Sequence, residues 1–279
     1  MGRRPTLSPL VAGAGSVLSW ASLPGARRPL IHVENLRFSY PSASAPALDG
    51  LSLEVPTGSL YGLLGPNGSG KTTFLSLLSG ILKPPSGAIQ VDGMDLSLHL
   101  ADVQARSALV PQELAFYPSL SVRENLEFFA GVGGLSGAEA ASRVDEALRL
   151  AALLPNAGQR AERCSGGLKR RLNIAIGLLR RPRLLLLDEP TVGIDPQSRH
   201  FILQSVREIH AAGRTVVYTS HYMDEVQDLC DTVGVMDRGR LIAQGRMETL
   251  LAQGRGQSEG PVRNLEELFL RLTQTTLRD

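Results

Sequence analysis

A glycine-rich loop is the sequence feature that most constrains the fold. It is "GPNGSGKTT", Gly65 to Thr73, and it matches the pattern G-x-x-x-x-G-K-T. The run before it, "LSLEVPTGSLYGLL", is rich in leucine and β-branched residues, which predicts strands. After it, Phe74, Leu78 and Leu82 recur at helical spacing. A loop of this kind between a strand and a helix predicts a phosphate-binding site in an α/β fold.

The residue types in this loop are those that phosphate chemistry requires. Glycine permits the backbone conformation in which successive N–H groups surround phosphate oxygens, and the helix N-terminus adds its positive end. Lys71 would neutralise the β- and γ-phosphates, and the Thr72 hydroxyl would ligate Mg²⁺. The predicted nucleotide-binding residues of the loop are Gly65, Pro66, Asn67, Gly68, Ser69, Gly70, Lys71, Thr72 and Thr73.

A pair of carboxylates follows a second apolar run, "RPRLLLLDEP". Four consecutive leucines predict a strand that is buried on both faces of a parallel sheet. Ligands of open α/β sheets bind beyond the carboxyl ends of the strands. Asp188 would therefore hold Mg²⁺ through water, and Glu189 would orient or deprotonate an attacking water. A strand that simply ends in a polar turn is the alternative, and the presence of Lys71 favours the functional interpretation.

Composition limits the classes of partner. The net charge of +2, with no run of like charges, gives no support for a nucleic-acid partner. Two cysteines are too few for a disulfide framework, so both are expected to be thiols. No apolar stretch reaches the roughly 18 to 20 residues that cross a bilayer. Any membrane role is therefore expected to be played from the surface.

Five motifs in order carry a resemblance to a known family. They are "GPNGSGKTT", "VPQE", "CSGGLKRR", "LLLLDEPTVGIDP" and "YTSHYMDE", and together they resemble the ATPase subunit of ATP-binding cassette (ABC) transporters over residues 30–245. Within that family, "SGGLKRRL" and the ending "NLEELFLRLT" are most similar to exporters of drugs, lipids and polysaccharides.

The resemblance implies an architecture, cofactors and partners. The fold would be an α/β P-loop NTPase core with an N-terminal antiparallel β subdomain and an inserted α-helical subdomain. The cofactors would be ATP and Mg²⁺. A second copy would pair head to tail with the first, and an integral-membrane permease would bind at the cytoplasmic face of the cell membrane, where the ATPase is peripheral.

The resemblance also implies three further site residues. Tyr40 would stack on adenine, although a half-buried strand tyrosine is the alternative. Gln112, which follows the predicted strand Ser107 to Val110, would reach both Mg²⁺ and the attacking water. His221 follows the β-rich run "RTVVYTS", so its imidazole would lie at a strand end, where it could hydrogen-bond the γ-phosphate.

A second anion site is predicted at "SGG", which opens the helix "LKRRLNIAIGLL". The N-terminus of a helix attracts anions through its free N–H groups and its dipole. The family resemblance implies that Ser165, Gly166 and Gly167 of one chain close over the ATP held by Lys71 of the other. A serine that caps a core helix is the simpler interpretation, and both can hold together.

Several positions near this helix depart from the family or leave two roles open. The family commonly has Leu and Gln where this chain has Cys164 and Leu168, and Cys164 could make a closed site sensitive to thiol reagents. The basic run 169–171 is predicted to be a solvated helix face. Asp195 matches the acidic position of the inter-subunit loop, but Asp195 followed by Pro196 is also a helix start.

The chain is predicted to have four parts. Residues 1–28 would be a disordered or mis-started N-terminal extension, with a cleaved signal as the alternative. The ATPase domain would span 30–250, with a helical subdomain at about 113–170. Residues 251–262 have a linker composition, and 263–279 predict a tail helix with a short apolar face.

Two functions remain open on the sequence alone. The first is an ATPase that drives a separate membrane subunit, for which the apolar residues Leu114, Phe116 and Tyr117 would supply a contact surface. The second is a soluble ABC-type ATPase that acts on ribosomes or DNA. Proteins of the second class usually fuse two cassettes or insert long coiled coils. This chain has one cassette and no heptad array, which favours transport.

Overall fold

The computed structural model describes residues 28–41, 43–84, 86–253 and 262–276, so nearly all of the predicted N-terminal extension lies outside the described residues. The strands are β1 Pro29–Phe38, β2 Leu48–Pro56, β3 Leu60–Leu64, β4 Ser86–Val91, β5 Met94–Asp95, β6 Ser107–Val110, β7 Leu184–Leu187, β8 Thr215–Ser220, β9 Thr232–Asp237 and β10 Arg240–Arg246. The helices are α1 Lys71–Leu78, α2 Leu100–Arg106, α3 Val122–Val132, α4 Gly137–Leu150, α5 Gly166–Leu178, α6 Pro196–Ala211, α7 Met223–Leu229, α8 Met247–Gln253 and α9 Leu265–Thr276.

A six-stranded sheet forms the centre of the protein. Its strand order is β10-β9-β3-β8-β7-β6, and all neighbouring pairs are parallel except β10 with β9. Strand β7 is the predicted leucine run: Leu184 and Leu186 belong to one apolar cluster, and Leu185 and Leu187 belong to the other. The run is continuously apolar because each face of the sheet is covered. The predicted α/β core is confirmed.

The N-terminal strands form a separate antiparallel sheet. Its order is β2-β1-β4-β5, and β1 pairs with β2 on one side and β4 on the other. The apolar residues of β1 and β2 share a buried cluster with Phe74, Leu75 and Leu77 of α1. This packing holds the helix that follows the glycine-rich loop between the two sheets. The predicted antiparallel β subdomain is therefore present.

The predicted helical subdomain contains α3, α4 and the start of α5. Helix α3 begins with a capping box, in which the Ser121 hydroxyl accepts from the Glu124 N–H and the Glu124 carboxylate accepts from the Ser121 N–H. Helix α5 packs against α3, α4 and α6 and against β6 and β7. It continues to Leu178, so the predicted boundary at residue 170 falls inside a helix.

A charge cluster joins the helical subdomain to the core. Glu146 of α4 pairs with Arg181, which precedes β7, at 2.5 Å and with Arg214, which precedes β8, at 3.2 Å. Burial alone would raise the pKa of the Glu146 carboxyl, but the hydrogen bonds and charges of the two arginines together lower it. The cluster therefore contributes an ionic contact across the subdomain boundary.

The C-terminal helix α9 docks on the core. Leu265 and Leu268 are buried, and the Leu265 N–H donates to Oε1 of Gln227 in α7 at 2.8 Å. Helix α8 continues to Gln253, so the first three residues of the predicted linker are helical, while 254–261 lie outside the described residues. Among the helices that are described, none combines the length and the apolar composition that crossing a membrane requires.

Candidate nucleotide site

The glycine-rich loop lies between the end of β3 and the first residue of α1. Gly68 and Gly70 have φ angles of 82° and 104°, in the region that favours glycine. A Cβ atom on Gly70 would lie 2.5 Å from the Ala47 carbonyl oxygen, and one on Gly65 would lie 2.4 Å from that of Met236. Backbone conformation therefore favours glycine at Gly68 and Gly70, and close approach of a carbonyl oxygen requires it at Gly65 and Gly70.

The donors of this loop fit a polyphosphate. Lys71 is 4% exposed, and its Nζ donates to the carbonyl oxygens of Gly65 at 2.7 Å and Pro66 at 3.1 Å. The buried Ser69 hydroxyl has no hydrogen-bond partner within the described residues. Space is open beside Gly68, where an added Cβ would meet nothing within 4 Å. The loop thus combines a cation, a hydroxyl and a helix N-terminus, which are the kinds of group that bind phosphate oxygens.

Three predicted site residues form a continuous chain of contacts. Glu189 Oε1 lies 3.1 Å from Lys71 Nζ, and Glu189 Oε2 lies 3.1 Å from His221 Nδ1. The Lys71 and Glu189 side chains are 4% and 8% exposed, so the ion pair is almost fully desolvated. Glu189 has a φ angle of 44°, which turns its backbone away from the direction of β7. The loop, the second apolar run and the histidine therefore meet at one point.

The predicted metal ligand Asp188 is joined to the same site through Thr219. The Thr219 hydroxyl donates to Asp188 Oδ1 at 2.8 Å and accepts from the Glu189 N–H at 2.9 Å. Asp188 is 3% exposed, and Thr72 at the start of α1 has an exposed side chain. A carboxylate and a hydroxyl are oxygen ligands of the kind that Mg²⁺ prefers. This donor set fits a magnesium ion held together with phosphate oxygens.

Tyr40 and Gln112 both lie on the surface. Tyr40 is 42% exposed, and its hydroxyl lies 3.2 Å from the Thr73 hydroxyl, which places the ring beside the first turn of α1. Gln112 is exposed in the segment after β6, and β6 pairs with β7. Its backbone oxygen accepts a hydrogen bond from Arg170 of α5. The structure thus places Tyr40 beside the glycine-rich loop. It places Gln112 just after β6, the strand that pairs with β7, and Asp188 directly follows β7.

Ser165 and Asp195 cap helices and take no part in the contacts between Lys71, Glu189 and His221. Ser165 is the N-cap of α5, and its exposed hydroxyl accepts from the Leu168 N–H at 3.3 Å. Gly166 is exposed as well. Asp195 caps α6 by accepting from the Ser198 N–H at 2.9 Å, and these hydrogen bonds lower the pKa of its carboxyl.

Gly167 has a different environment from the two residues before it. It is buried, and a Cβ atom there would lie 2.3 Å from both Cβ and Oγ of Ser198 in α6. The close approach of α5 to α6 therefore requires glycine at this position.

A family model described as ABC transporter matches residues 48–192, which is more than half of the chain. The protein belongs to the ABC transporter family. Its residues 48–192 include the glycine-rich loop, the "SGG" helix and both carboxylates of the site. As a member of that family it is an ATPase, and the expected nucleotide-binding α/β fold is confirmed.

Two curated relatives are similar to most of this ABC ATPase. The linearmycin resistance ATP-binding protein LnrL of Bacillus subtilis is 41% identical over 243 residues, which are 86% of this chain and 78% of LnrL. The Nod factor export ATP-binding protein I of Ralstonia nicotianae is 40% identical over 223 residues, covering 80% of this chain and 69% of that protein. Both relatives are named as ATP-binding proteins of resistance or export.

Solved structures share the fold. That of cbiO1 from Clostridium perfringens, part of the ABC transporter complex cbiONQ, is 29% identical with a TM-score of 0.74 and covers 90% of this chain and 96% of its own. A bacterial ABC transporter cassette solved as a dimer is 25% identical with a TM-score of 0.69, covering 78% and 98%.

One buried polar cluster of this ABC ATPase was not predicted from its sequence. The Glu225 carboxylate, 3% exposed, accepts from the hydroxyls of Thr191 and Tyr218, each at 2.7 Å, and lies 3.2 Å from Nε of Arg199. It connects the segment after Glu189 to the segment after His221. The one sequence signal was a glutamate placed four residues after the histidine in "SHYMDE".

The prediction of a solvated basic run in the ABC ATPase is wrong for Arg170. That side chain is 7% exposed, because α5 packs against the segment after β6. The prediction that Phe116 is exposed is also wrong, since Phe116 is partly buried against the core. Burial raises the pKa of the Cys164 thiol, which disfavours the reactive thiolate.

Proposed function

We propose that this ABC ATPase powers export by a separate integral-membrane permease, and that it works as a peripheral subunit at the cytoplasmic face of the cell membrane. The buried contacts of Glu189 with Lys71 and His221 carry the catalytic part of the proposal. The relatives named for linearmycin resistance and Nod factor export support the direction of transport. Export of a drug-, lipid- or polysaccharide-type substrate is the resulting assignment.

In the proposed reaction, Glu189 is the base that takes a proton from the attacking water. In the structure, Lys71 contacts Oε1 of the Glu189 carboxylate and His221 contacts Oε2. A γ-phosphate would accept from Lys71 and so release Oε1 for the water. With a proton on each ring nitrogen, His221 would then orient the carboxylate by donating from Nδ1 to Oε2 and would donate toward the phosphate from Nε2.

The metal-binding part of the proposal involves three residues. Asp188, Thr72 and Gln112 would hold Mg²⁺, with Thr219 fixing the Asp188 carboxylate through its hydroxyl. The ion would neutralise charge on the β- and γ-phosphates. Thr219 also holds the N–H of Glu189, so one threonine would align both the metal ligand and the base.

A second copy of the chain is proposed to complete each site. Ser165 is exposed at the start of a 13-residue helix, and its contacts are with its own helix rather than with Lys71. The N-terminus of α5 can bind a phosphate only if that phosphate belongs to a nucleotide held by another chain. Head-to-tail pairing would place Ser165 of one copy over the nucleotide held by Lys71 of the other, with Asp195 near the same interface.

The permease is proposed to bind an aromatic patch on the helical subdomain. The patch consists of Tyr117, Phe128 and Val132, which are 48%, 43% and 70% exposed, together with the partly buried Phe129. Tyr117 and Phe128 contact each other edge to face at 4.8 Å. Exposed apolar residues that cluster in this way mark interaction surfaces. The patch adjoins the segment that holds Gln112, so nucleotide contacts and partner contacts would be neighbours.

Co-purification with the permease tests the proposal. Phe128→Glu should remove the permease from the complex without changing ATP turnover of the isolated subunit. The matched control is Leu270→Glu, a substitution of a leucine that is 49% exposed on α9. If Phe128→Glu still recovers the permease in full, the aromatic patch is not the permease-binding surface. If no membrane protein accompanies the wild-type chain, the transport assignment is wrong.

A further inference from the structure

The helix that begins at the second anion site also holds the segment that contains Gln112. Arg170 of α5 donates from Nη1 to the carbonyl oxygen of Gln112 and lies 3.5 Å from that of Pro111. Arg170 is 7% exposed, so water cannot replace these contacts at low cost. The Arg170 side chain is thus committed to the backbone of one short segment.

A second side chain of α5 holds the same segment. Asn173 donates from Nδ2 to the carbonyl oxygens of Pro111 at 3.2 Å and Glu113 at 3.1 Å, and its Oδ1 accepts from the Ala115 N–H at 3.0 Å. Asn173 is 4% exposed. Four peptide groups between residues 111 and 115 are therefore fixed by two buried side chains of one helix.

Arg170 lies close to the helix cap Ser165 along the axis of α5. Arg170 follows the helix cap Ser165 by five residues, which is about 7.5 Å along the helix axis. The helix is anchored by buried apolar side chains, Leu172, Ala175 and Leu178. A displacement of its N-terminus must therefore move the Arg170 and Asn173 side chains with it.

We propose that Arg170 and Asn173 are positioning residues that couple the two nucleotide sites of the dimer. The inference rests on the proposed head-to-tail pairing, in which Ser165 closes over the partner's nucleotide while Gln112 serves the nucleotide of its own chain. When Ser165 closes over the nucleotide of the partner, α5 then displaces the Gln112 segment at the nucleotide of its own chain. One chain thereby connects the two nucleotide sites of the dimer.

A mixed dimer can isolate this effect. One chain carries Lys71→Ala, so that it holds no ATP of its own, and Leu114→Cys with an environment-sensitive fluorophore beside Gln112. The native cysteines, Cys164 and Cys230, are buried and react poorly. The other chain carries Glu189→Gln alone and is unlabelled. Labelled homodimers bind no ATP and unlabelled homodimers give no signal, so only the mixed dimer reports.

Added Mg-ATP should change the fluorescence of the labelled chain, because its Ser165 closes over the ATP of its partner. Arg170→Met in the labelled chain should remove most of this amplitude, because the side chain that connects α5 to the Gln112 segment is gone. Asn173→Leu should do the same and decides the question if Arg170→Met fails to fold. ATP retained by the mixed dimer, isolated through different affinity tags on its two chains, should stay unchanged in both variants, which a loss of general structure would not allow.

Arg171→Met is the matched control. Arg171 is the next residue on the same helix, but its Nη1 donates to the Ala152 carbonyl oxygen at the end of α4, at 2.8 Å. Its substitution should leave the amplitude at the parent value. An unchanged amplitude with Arg170→Met and Asn173→Leu, or no response in a parent dimer that retains ATP, would overturn the coupling. A parent mixed dimer, isolated in the same way, that retains no ATP would instead overturn the head-to-tail dimer, and the inference with it.

Discussion

Replacing Glu189 by glutamine tests both its chemistry and its ion pair with Lys71. Glutamine keeps the shape and one acceptor oxygen but removes the charge and the basicity. We expect ATP turnover to fall by about 10² to 10⁴, the usual effect of losing a general base. We expect ATP affinity to be kept or raised, because the carboxylate that competes with phosphate for Lys71 is gone. Lys71→Ala should instead weaken ATP binding itself.

The same substitution should destabilise the nucleotide-free protein. Lys71 and Glu189 are 4% and 8% exposed, and removal of one partner of a buried ion pair costs about 3 kcal/mol or more. For a chain of 279 residues, that corresponds to a fall of about 5 °C in Tm. Mg-ATP at 100 times its Kd stabilises the folded state by about 2.7 kcal/mol. Saturating nucleotide should therefore return the variant close to the Tm of the nucleotide-free wild type.

Thermal unfolding with and without Mg-ATP, combined with single-turnover hydrolysis, measures these effects. The control is Glu54→Gln, which removes a buried carboxylate that pairs with His32 at 3.0 Å in the antiparallel sheet. It should leave turnover unchanged. Equal losses of ATP binding and of turnover in Glu189→Gln would refute the assignment as a base. An unaltered Tm would refute the energetic importance of the pair with Lys71.

Three further outcomes are expected. Tyr40→Ala should weaken binding of ATP and GTP alike by about 1 to 3 kcal/mol, the range for lost base stacking, whereas Tyr40→Phe should keep it, as equilibrium titration would measure. Lys71→Ala chains can be mixed with Ser165→Arg chains, with Glu189→Gln in both. The mixed dimer should retain about one ATP, because Lys71 of one chain and Ser165 of the other still form one intact site. Dimers of either chain alone should retain essentially none. Gly167→Ala should cost about 1 to 3 kcal/mol in the free energy of unfolding through overpacking, and Ser198→Gly should restore it in denaturant titrations.

Local patterns sufficed to predict the scaffold and the nucleotide loop. The leucine run became β7 with Asp188 directly after it, and the run before His221 became β8, because strands buried on both faces leave a continuous apolar signal. Glycines of the loop are recognisable because backbone conformation and close approach exclude other residues there. The contact of Glu189 with Lys71 follows from the parallel sheet, which brings the carboxyl ends of its strands to one edge.

What the sequence did not reveal depends on tertiary contacts of polar residues. Thr219 lies inside a β-rich run, and only the register of β8 beside β7 shows that its hydroxyl holds Asp188 and the Glu189 backbone. Arg170 belongs to a run of three basic residues, and charge alone predicts exposure. It is buried because carbonyl groups more than fifty residues earlier in the chain accept hydrogen bonds from its guanidinium. Such partners have no local sequence signature.

The ion pairs of Glu146 with Arg181 and Arg214 make the attachment of the helical subdomain dependent on ionic strength. Any rotation of the subdomain against the core must stretch these contacts, which lie at a partly exposed boundary. Dissolved salt screens such charges over a distance of about 8 to 10 Å under ordinary buffer conditions. Raising the salt concentration would then loosen the subdomain while leaving its apolar packing intact. The salt concentration would therefore change how firmly the helical subdomain is held on the core, independently of the nucleotide concentration.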